Sequence, residues 1–340
     1  MVRSFRRHAW FFALLAAASG CDTGARPAPT EAPAPPNPTQ PSPTEISPAA
    51  SRHLESLVNV MQVYSIRKNA IDWDSFRSEV VRAAGTAQSI PETYPAIEVA
   101  LRLLNDSQSY YQTRNSTLGP APVGGCTATS PPSVSPPPSV GYVKVASCDC
   151  EDVTATRFAE SVQQVISAAD RPGLAGWIVD LRGNVGGNMW PMIAGVGPVM
   201  GEGIIGWIVY NNREYEREYR NGAALSLGEA FASVDRPYRL RNEFPKVAVL
   251  TDGLVSSAAE AITVYFRGRP GTRSFGTPTC GHHHLQQSFP FSDGGVLGLA
   301  VSQHADRTKR QYAGSIEPDE IVTDPSEAAS RAIAWLLSGR

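Results

Sequence analysis

The chain has 340 residues, of which 42% are hydrophobic and 18% charged, with a formal net charge of −2 at pH 7. No basic cluster occurs beyond the first few residues, which excludes nucleic acid as a partner. With the N-terminal 50 residues set aside, about 290 remain, enough for one large domain or a small one beside a larger one. Arg3, Arg6 and Arg7 precede an apolar run from Ala9 to Ala18, and Ser-Gly-Cys follows. A basic start, a short apolar core and small residues before a cysteine read as a lipoprotein signal over residues 1–21. The apolar run is too short to span a bilayer. Processing would leave Cys21 as a lipidated N-terminus, with the membrane as partner through that lipid and the bacterial envelope, outside the cytoplasm, as location. Ala18 stands where such signals usually carry leucine, so an ordinary secretory signal stays open as the alternative.

Residues 22–50 hold nine prolines among Ala, Thr and Ser and predict an extended tether without a core. Residues 51–112 predict a helical subdomain. SRHLESLVNVMQVYSIR has apolar residues at three- and four-residue spacing, Asp74 suits the start of a second helix ending near Gly85, and PAIEVALRLLND suits a third. Residues 113–140, with PPSVSPPPSV, predict an irregular loop. Residues 141–340 predict an α/β core. The run 141–146 reads as a strand, Asp152–Ala169 as a helix, and the next strand ends at Asp180, which makes a parallel β-α-β unit with a right-handed crossover. A helix at 188–200 and strands at 204–210, 246–250, 285–289 and 296–302 continue the alternation.

The stretch from Lys246 to Cys280 carries the chemistry. A buried strand, KVAVL, leads through Gly253 to Ser256, Ser257 and a helix reaching Arg267. A serine on a sharp strand-to-helix bend is exposed beside free N–H groups and the positive end of the helix dipole. Serine is also an ordinary N-cap, so this stretch alone leaves both roles open. A second stretch, LAGWIVDLRGNVGG at 174–187, ends a buried strand in a glycine-rich turn.

Together these stretches resemble the tail-specific (C-terminal-processing) and tricorn-type serine peptidase family. Asp180, Leu181, Arg182, Asn184, Gly186 and Gly187 match its first motif, Ser256 through Glu260 its second, Thr279 and Gly281 its third, and Gly314 through Asp319 its closing G-x-x-PD. The resemblance covers roughly residues 53–325. It implies a ClpP/crotonase-like core behind the helical subdomain. It also implies a Ser257 nucleophile, three residues before Glu260, acting through an acyl-enzyme on peptides or unfolded protein tails. The oxyanion hole would use backbone N–H groups of Gly186, Gly187 and Ala258. Asp180, Leu181 and Arg182 would hold the core together, Glu260 would cap its helix, and Glu317 is a possible orienting carboxylate. The family often carries a PDZ module near 113–140, but this segment is too short for one. No cofactor or metal is implied.

One departure matters. The family's D-x-H-[ST] pattern, whose histidine is the general base in the tricorn-type branch, here reads Asp106-Ser107-Gln108-Ser109. A carboxamide cannot accept a proton in this role. The other branch uses a lysine 25 residues after its nucleophile, and from Ser257 that position is His282. Imidazole is a competent base near neutral pH, so His282 can replace the missing base. Its ring is then expected about 3 Å from Ser257 Oγ, with Gln108 and the Gly186–Gly187 turn at the same groove. The alternative function is a catalytically inactive descendant that keeps the groove and binds peptides or proteins. An acyl-transfer enzyme acting on esters is a third reading.

Cys126, Cys148, Cys150 and Cys280 remain after Cys21, an even number in an exported chain. Cys126 paired with Cys148 or Cys150 is the preferred disulfide, since these cysteines flank one Pro-rich loop. A zinc site from Cys148, Cys150, His282, His283 and His284 lacks the usual ligand spacing.

Overall fold

A computed structural model describes residues 45–338, apart from 107, 120–125, 129–130, 283 and 313. The signal with Cys21 and most of the Pro-rich segment lie outside the described residues, as does His283.

Three helices open the described chain. α1 (Pro48–Tyr64) starts inside the stretch expected to be a tether, because Ser47 Oγ accepts the Ala50 N–H at 3.2 Å and Pro48 suits a first helical position. α2 (Trp73–Ala84) is capped by the Asp72 carboxylate. α3 (Tyr94–Leu104) ends on Asn105 in the left-handed region, after a 3₁₀ turn at Pro91–Thr93. Their apolar faces, including Leu57, Met61, Phe76, Ile97 and Leu101, pack with Leu297 and Leu299 in one buried cluster.

The strands follow as β1 (Tyr110–Gln112), β2 (Thr117–Leu118), β3 (Val140–Lys144), β4 (Gly176–Asp180), β5 (Gly203–Tyr210), β6 (Arg213–Arg220), β7 (Ala223–Ser226), β8 (Glu229–Ser233), β9 (Val247–Thr251), β10 (Thr272–Gly276), β11 (Leu285–Pro290), β12 (Val296–Ala305) and β13 (Glu320–Ile321). The helices between and after them are α4 (Asp152–Ala169), α5 (Met189–Met200), α6 (Ala258–Phe266) and α7 (Glu327–Leu337).

Two sheets result. β13-β10-β9-β4-β3 is parallel throughout. The other sheet runs β2-β1-β12-β5-β6-β7-β8 with antiparallel pairs, and β11 adds to β12. α6 packs against β9 on one side and against β5 and β12 on the other, and each of its residues is buried. Between two sheets a helix has no polar face to spare, which is why AAEAITVYF is apolar nearly all round. α7 covers the opposite face of the parallel sheet. The α/β class expected from the sequence is the class of the fold. The hairpins of β6–β8, the strands β10 and β13, and α7 go beyond the sequence-based expectation.

The disulfides correct one expectation. Cys126 pairs with Cys280, not with Cys148 or Cys150, and those two pair with each other across Asp149. The cause is the path of the chain after Cys126. The Thr127 carbonyl packs on Gly253 so closely that a Cβ there would collide with it, and this seats Cys126 beside the loop that holds Cys280.

Candidate active site

β4 and β9 are neighbours, so the turns after them emerge side by side at the carboxyl end of the sheet. The turn after β4 is fixed from within. Arg182 forms a two-pronged pair with Asp180, Nε to Oδ1 at 2.9 Å and Nη2 to Oδ2 at 2.8 Å, and both side chains are 2% exposed. Tyr142 donates to the same carboxylate and Arg182 Nη1 reaches the Pro325 carbonyl, so this pair joins three segments of the core. Asn184 donates to the Val145 carbonyl and accepts from Gly186 N at 2.8 Å, while its own carbonyl accepts from Ser256 N at 3.1 Å. The two turns are thereby hydrogen-bonded to each other.

Ser257 is the N-cap of α6, with φ 54° and ψ −120°. A positive φ is strained for a residue with a Cβ and persists only where the surroundings enforce it. Here two contacts do so. Gly186 lies directly against it, since a Cβ on Gly186 would sit 2.8 Å from both Ser257 Cβ and the Ser256 carbonyl. Ser257 N donates to Glu260 Oε2 at 3.1 Å. The bend leaves Ser257 exposed while Ser256 is buried, which separates the two serines of the motif.

Glu260 does more than cap its helix. Fully buried, it accepts from Thr279 Oγ1 at 2.5 Å, from Gly281 N at 2.6 Å and from His282 N at 2.7 Å, besides Ser257 N. One carboxylate therefore ties the serine bend to the Thr279–His282 loop. In the sequence, the acidic residue three positions after Ser257 and the distant Thr-x-Gly are separate motifs, and nothing joins them until the chain folds.

The expected oxyanion donors divide. Gly186 N–H is already given to Asn184, so Gly186 serves by having no side chain. Among the described residues no acceptor lies on the N–H of Gly187 or of Ala258. Gly187 also pairs with Cys148, whose carbonyl would collide with a Cβ there.

The base candidates sit as follows. Gln108 is buried; its Nε2 donates to the Gly281 carbonyl at 2.9 Å and lies 2.8 Å from His284 Nδ1, and its Oε1 accepts from His284 N at 3.3 Å. The end of the helical subdomain is thus locked to the same loop that Glu260 holds. The His282 ring does not meet the expected contact with Ser257. Its Nδ1 faces the disulfide instead, 3.5 Å from Cys280 Sγ and 3.7 Å from Cys126 Sγ, and no hydrogen bond joins it to Ser257 Oγ. Its backbone is nonetheless close, because His282 N and Ser257 N donate to the same oxygen of Glu260. Glu317 is exposed and is held through its carbonyl by Arg267, while the preceding Ile316 exchanges hydrogen bonds with Thr279. The neighbouring Asp319 anchors the closing motif by accepting from Ser274 N and Oγ, each at 2.8 Å. Cys126, Cys280 and His282 bring metal-ligand atoms within 4.8 Å of one another, but two of the three are sulfurs joined in a disulfide and offer no thiolate. Among the described residues, which leave out His283, Cys148 and Cys150 join no such grouping.

The pattern of peptidase family S41 matches residues 139–322. Over 295 residues the chain is 22% identical to the nisin-resistance protein of Lactococcus lactis subsp. lactis, covering 86% of this chain and 89% of that one. Among solved structures, a lipoprotein from Streptococcus agalactiae is similar with a TM-score of 0.58 and 18% identity, over 86% of this chain and 98% of the other. A putative peptidase from Parabacteroides merdae gives a TM-score of 0.60 at 16% identity with the same coverages. The photosystem II D1 C-terminal processing protease gives 0.52 at 16% identity, over 84% of this chain and 97% of its own. At these identities the structural likenesses speak for the fold.

Proposed function

The chain belongs to peptidase family S41, and on that premise we propose that it cleaves peptides or protein tails as a serine peptidase, with Ser257 as nucleophile. The observation that carries this reading is the strained, exposed Ser257 wedged between Gly186 and the first turn of α6. In the proposed reaction Ser257 Oγ attacks the peptide carbonyl and its proton passes to a base. The tetrahedral oxyanion accepts hydrogen bonds from Gly187 N–H and Ala258 N–H, the amine leaves with the proton, and water releases the acyl group by the reverse sequence. His282 is our choice of base. Its backbone is fixed beside that of Ser257 by Glu260, and a rotation of its side chain away from the disulfide is the movement required. We place the enzyme in the bacterial cell envelope, outside the cytoplasm, held by lipid at Cys21. The signal-like run from Arg3 to Cys21 supports this, and so does the S. agalactiae lipoprotein among the similar structures.

A second reading has its own observation. Gln108 occupies the sequence position of a base and is fully engaged with Gly281 and His284, as expected of a groove that binds peptide without cutting it. A fluorophosphonate probe separates the two. Covalent labelling of the full chain, lost in Ser257→Ala and kept in Ser256→Ala, supports the peptidase. Hydrolysis of an unstructured peptide should also be lost in His282→Ala. No labelling at any pH, with peptide still bound, establishes the binder; gained hydrolysis in Gln108→His would then show a site lacking only its base.

A further inference from the structure

A cavity of about 560 Å³ lies at the other end of the parallel sheet from Ser257. It opens where β9 and β10 begin and α5 ends, whereas Ser257 follows the carboxyl end of β9. Its wall combines apolar surface from Leu240, Phe244 and Pro270 with the cations Arg239 and Lys246 and with a pair of guanidinium groups, Arg269 and Arg307; Met200 and Tyr219 line it but are almost fully buried. Both arginines turn toward one atom: Arg269 Nε donates to the Met200 carbonyl at 3.1 Å and Arg307 Nη2 donates to it at 2.7 Å. Arg269 is 8% exposed, and its Nη1 is used on the carbonyls of Pro245 and Pro270 and on Thr272 Oγ1. Its Nη2 has no acceptor among the described residues, and neither arginine has a carboxylate within ion-pair distance there.

Holding the carbonyl end of α5 explains part of this arrangement, since cations favour a helix C-terminus. It does not explain two like charges side by side in a cleft with no counter-ion, which is costly in a partly desolvated site. Burial pushes both arginines down to about 10, and the charge of Arg307 adds to the effect on Arg269. The acidic groups on the wall, Glu202 and Glu243, are exposed, and Glu202 accepts from Asn221 N. Phe244 stands 85% exposed at the same cavity.

We propose that this cavity binds a carboxylate carried on an apolar body, the carboxylate pairing with Arg269 and Arg307 and the apolar part lying along Leu240, Phe244 and Pro270. A fatty acid and a peptide chain end with an apolar last residue share this chemistry. The site is separate from the candidate active site and does not depend on its being catalytic.

Titration calorimetry with decanoate below its micelle concentration tests this on the full chain, with decanol and inorganic phosphate as controls. Saturable decanoate binding is expected, with decanol and phosphate each at least about tenfold weaker, because the charged pair and the apolar wall are both needed. Arg269→Gln and Arg307→Gln should each weaken decanoate at least about tenfold. Arg307 is less buried, so its variant keeps the test open if Arg269→Gln fails to fold. Competition by a leucine-terminated peptide with a free carboxyl group, and not by its amide, would assign the site to chain ends; no competition by either would assign it to the fatty acid. Decanol binding as tightly as decanoate, phosphate matching decanoate, or a folded Arg307→Gln that binds like the parent chain would overturn the proposal.

Discussion

A buried carboxylate is tolerated only when its lone pairs are nearly all used, and Glu260 meets that condition with donors from Ser257, Thr279, Gly281 and His282. The consequence is mechanical: the strained serine and the loop opposite it share one anchor. Glu260→Gln places an amide N–H₂ against donors that need acceptors. Urea unfolding should show a loss of roughly 2–4 kcal/mol, the scale of losing charge-assisted hydrogen bonds. Fluorophosphonate labelling should drop with it, and a variant of full stability would show that the network contributes little. Gly186→Ala tests the other wall. Its Cβ would meet Ser257 Cβ at 2.8 Å, and its φ of 101° is hostile to a side chain. The expected result is a folded protein whose labelling rate is down at least about a hundredfold, the scale of a damaged oxyanion hole. Labelling at the parent rate would mean that Gly186 does not shape the site.

At the scale of elements, α1 is joined to the β11–β12 turn by a polar knot inside an aromatic cluster. His53 is 4% exposed, its ring centroid 5.4 Å from that of Phe291, and Tyr111 Oη lies 3.3 Å from His53 Nε2 while donating to Asp293 Oδ1 at 2.8 Å. Burial holds His53 below the ordinary histidine value of 6.5, with Asp293 opposing the shift only in part. Asp293 is raised by burial, but the Gly295 N–H, Tyr111 and His53 together carry it below the usual carboxylate range. A histidine lowered in this way is neutral in the folded state, so its contribution is intact above 6.5 and declines as pH falls from there toward the folded value. Asp293 contributes above the ordinary carboxylate value, and that part is lost only at more acidic pH. Thermal midpoints should therefore fall as the pH drops below 6.5, and His53→Phe should flatten that section of the curve. An unchanged slope in the variant would assign the pH dependence to other groups. The elements that could be read in advance are those with a strong period or a β-branched run, such as α1, α4, β4 and β9. The β6–β8 meander escaped notice because REYEREYR is charged and only partly buried, so it carries no apolar signal. Its turns take the two-residue hairpin form, and Asn211-Asn212, Asn221-Gly222 and Leu227-Gly228 all have the positive φ that such turns require. In the site, Ser257 and Gly186 were legible because each motif is local. The hub role of Glu260 was not, because its partners lie 19 to 22 residues away. The orientation of the His282 ring was not either, because it follows from the disulfide partner of Cys280.

Across the whole molecule, the Cys126–Cys280 bond spans 154 residues of sequence, enclosing β3, β4, β9 and β10 and the hairpins between them. A cross-link of that span removes much of the freedom of the unfolded chain, on the order of 5 kcal/mol in the loop-entropy picture. Cys148–Cys150 closes a loop two residues apart and restricts almost nothing. The long bond also ends inside the site. Cys280 stands between Thr279 and Gly281, two donors to Glu260, and its own N–H donates to the Val255 carbonyl at 2.9 Å. The Cys126→Ser/Cys280→Ser pair should therefore lose several kcal/mol against urea, and Cys148→Ser/Cys150→Ser much less. The labelling rate should change before the chain unfolds, because the loop loses its covalent tether while Glu260 still holds it to the serine bend. The same change removes the sulfurs that His282 Nδ1 faces, so the labelling rate separates two outcomes. A slower rate at pH 7 means that the disulfide keeps the loop in register for Ser257. A faster rate means that it holds the His282 ring away from the serine, and Cys126→Ser/Cys280→Ser/His282→Ala should then abolish the gain.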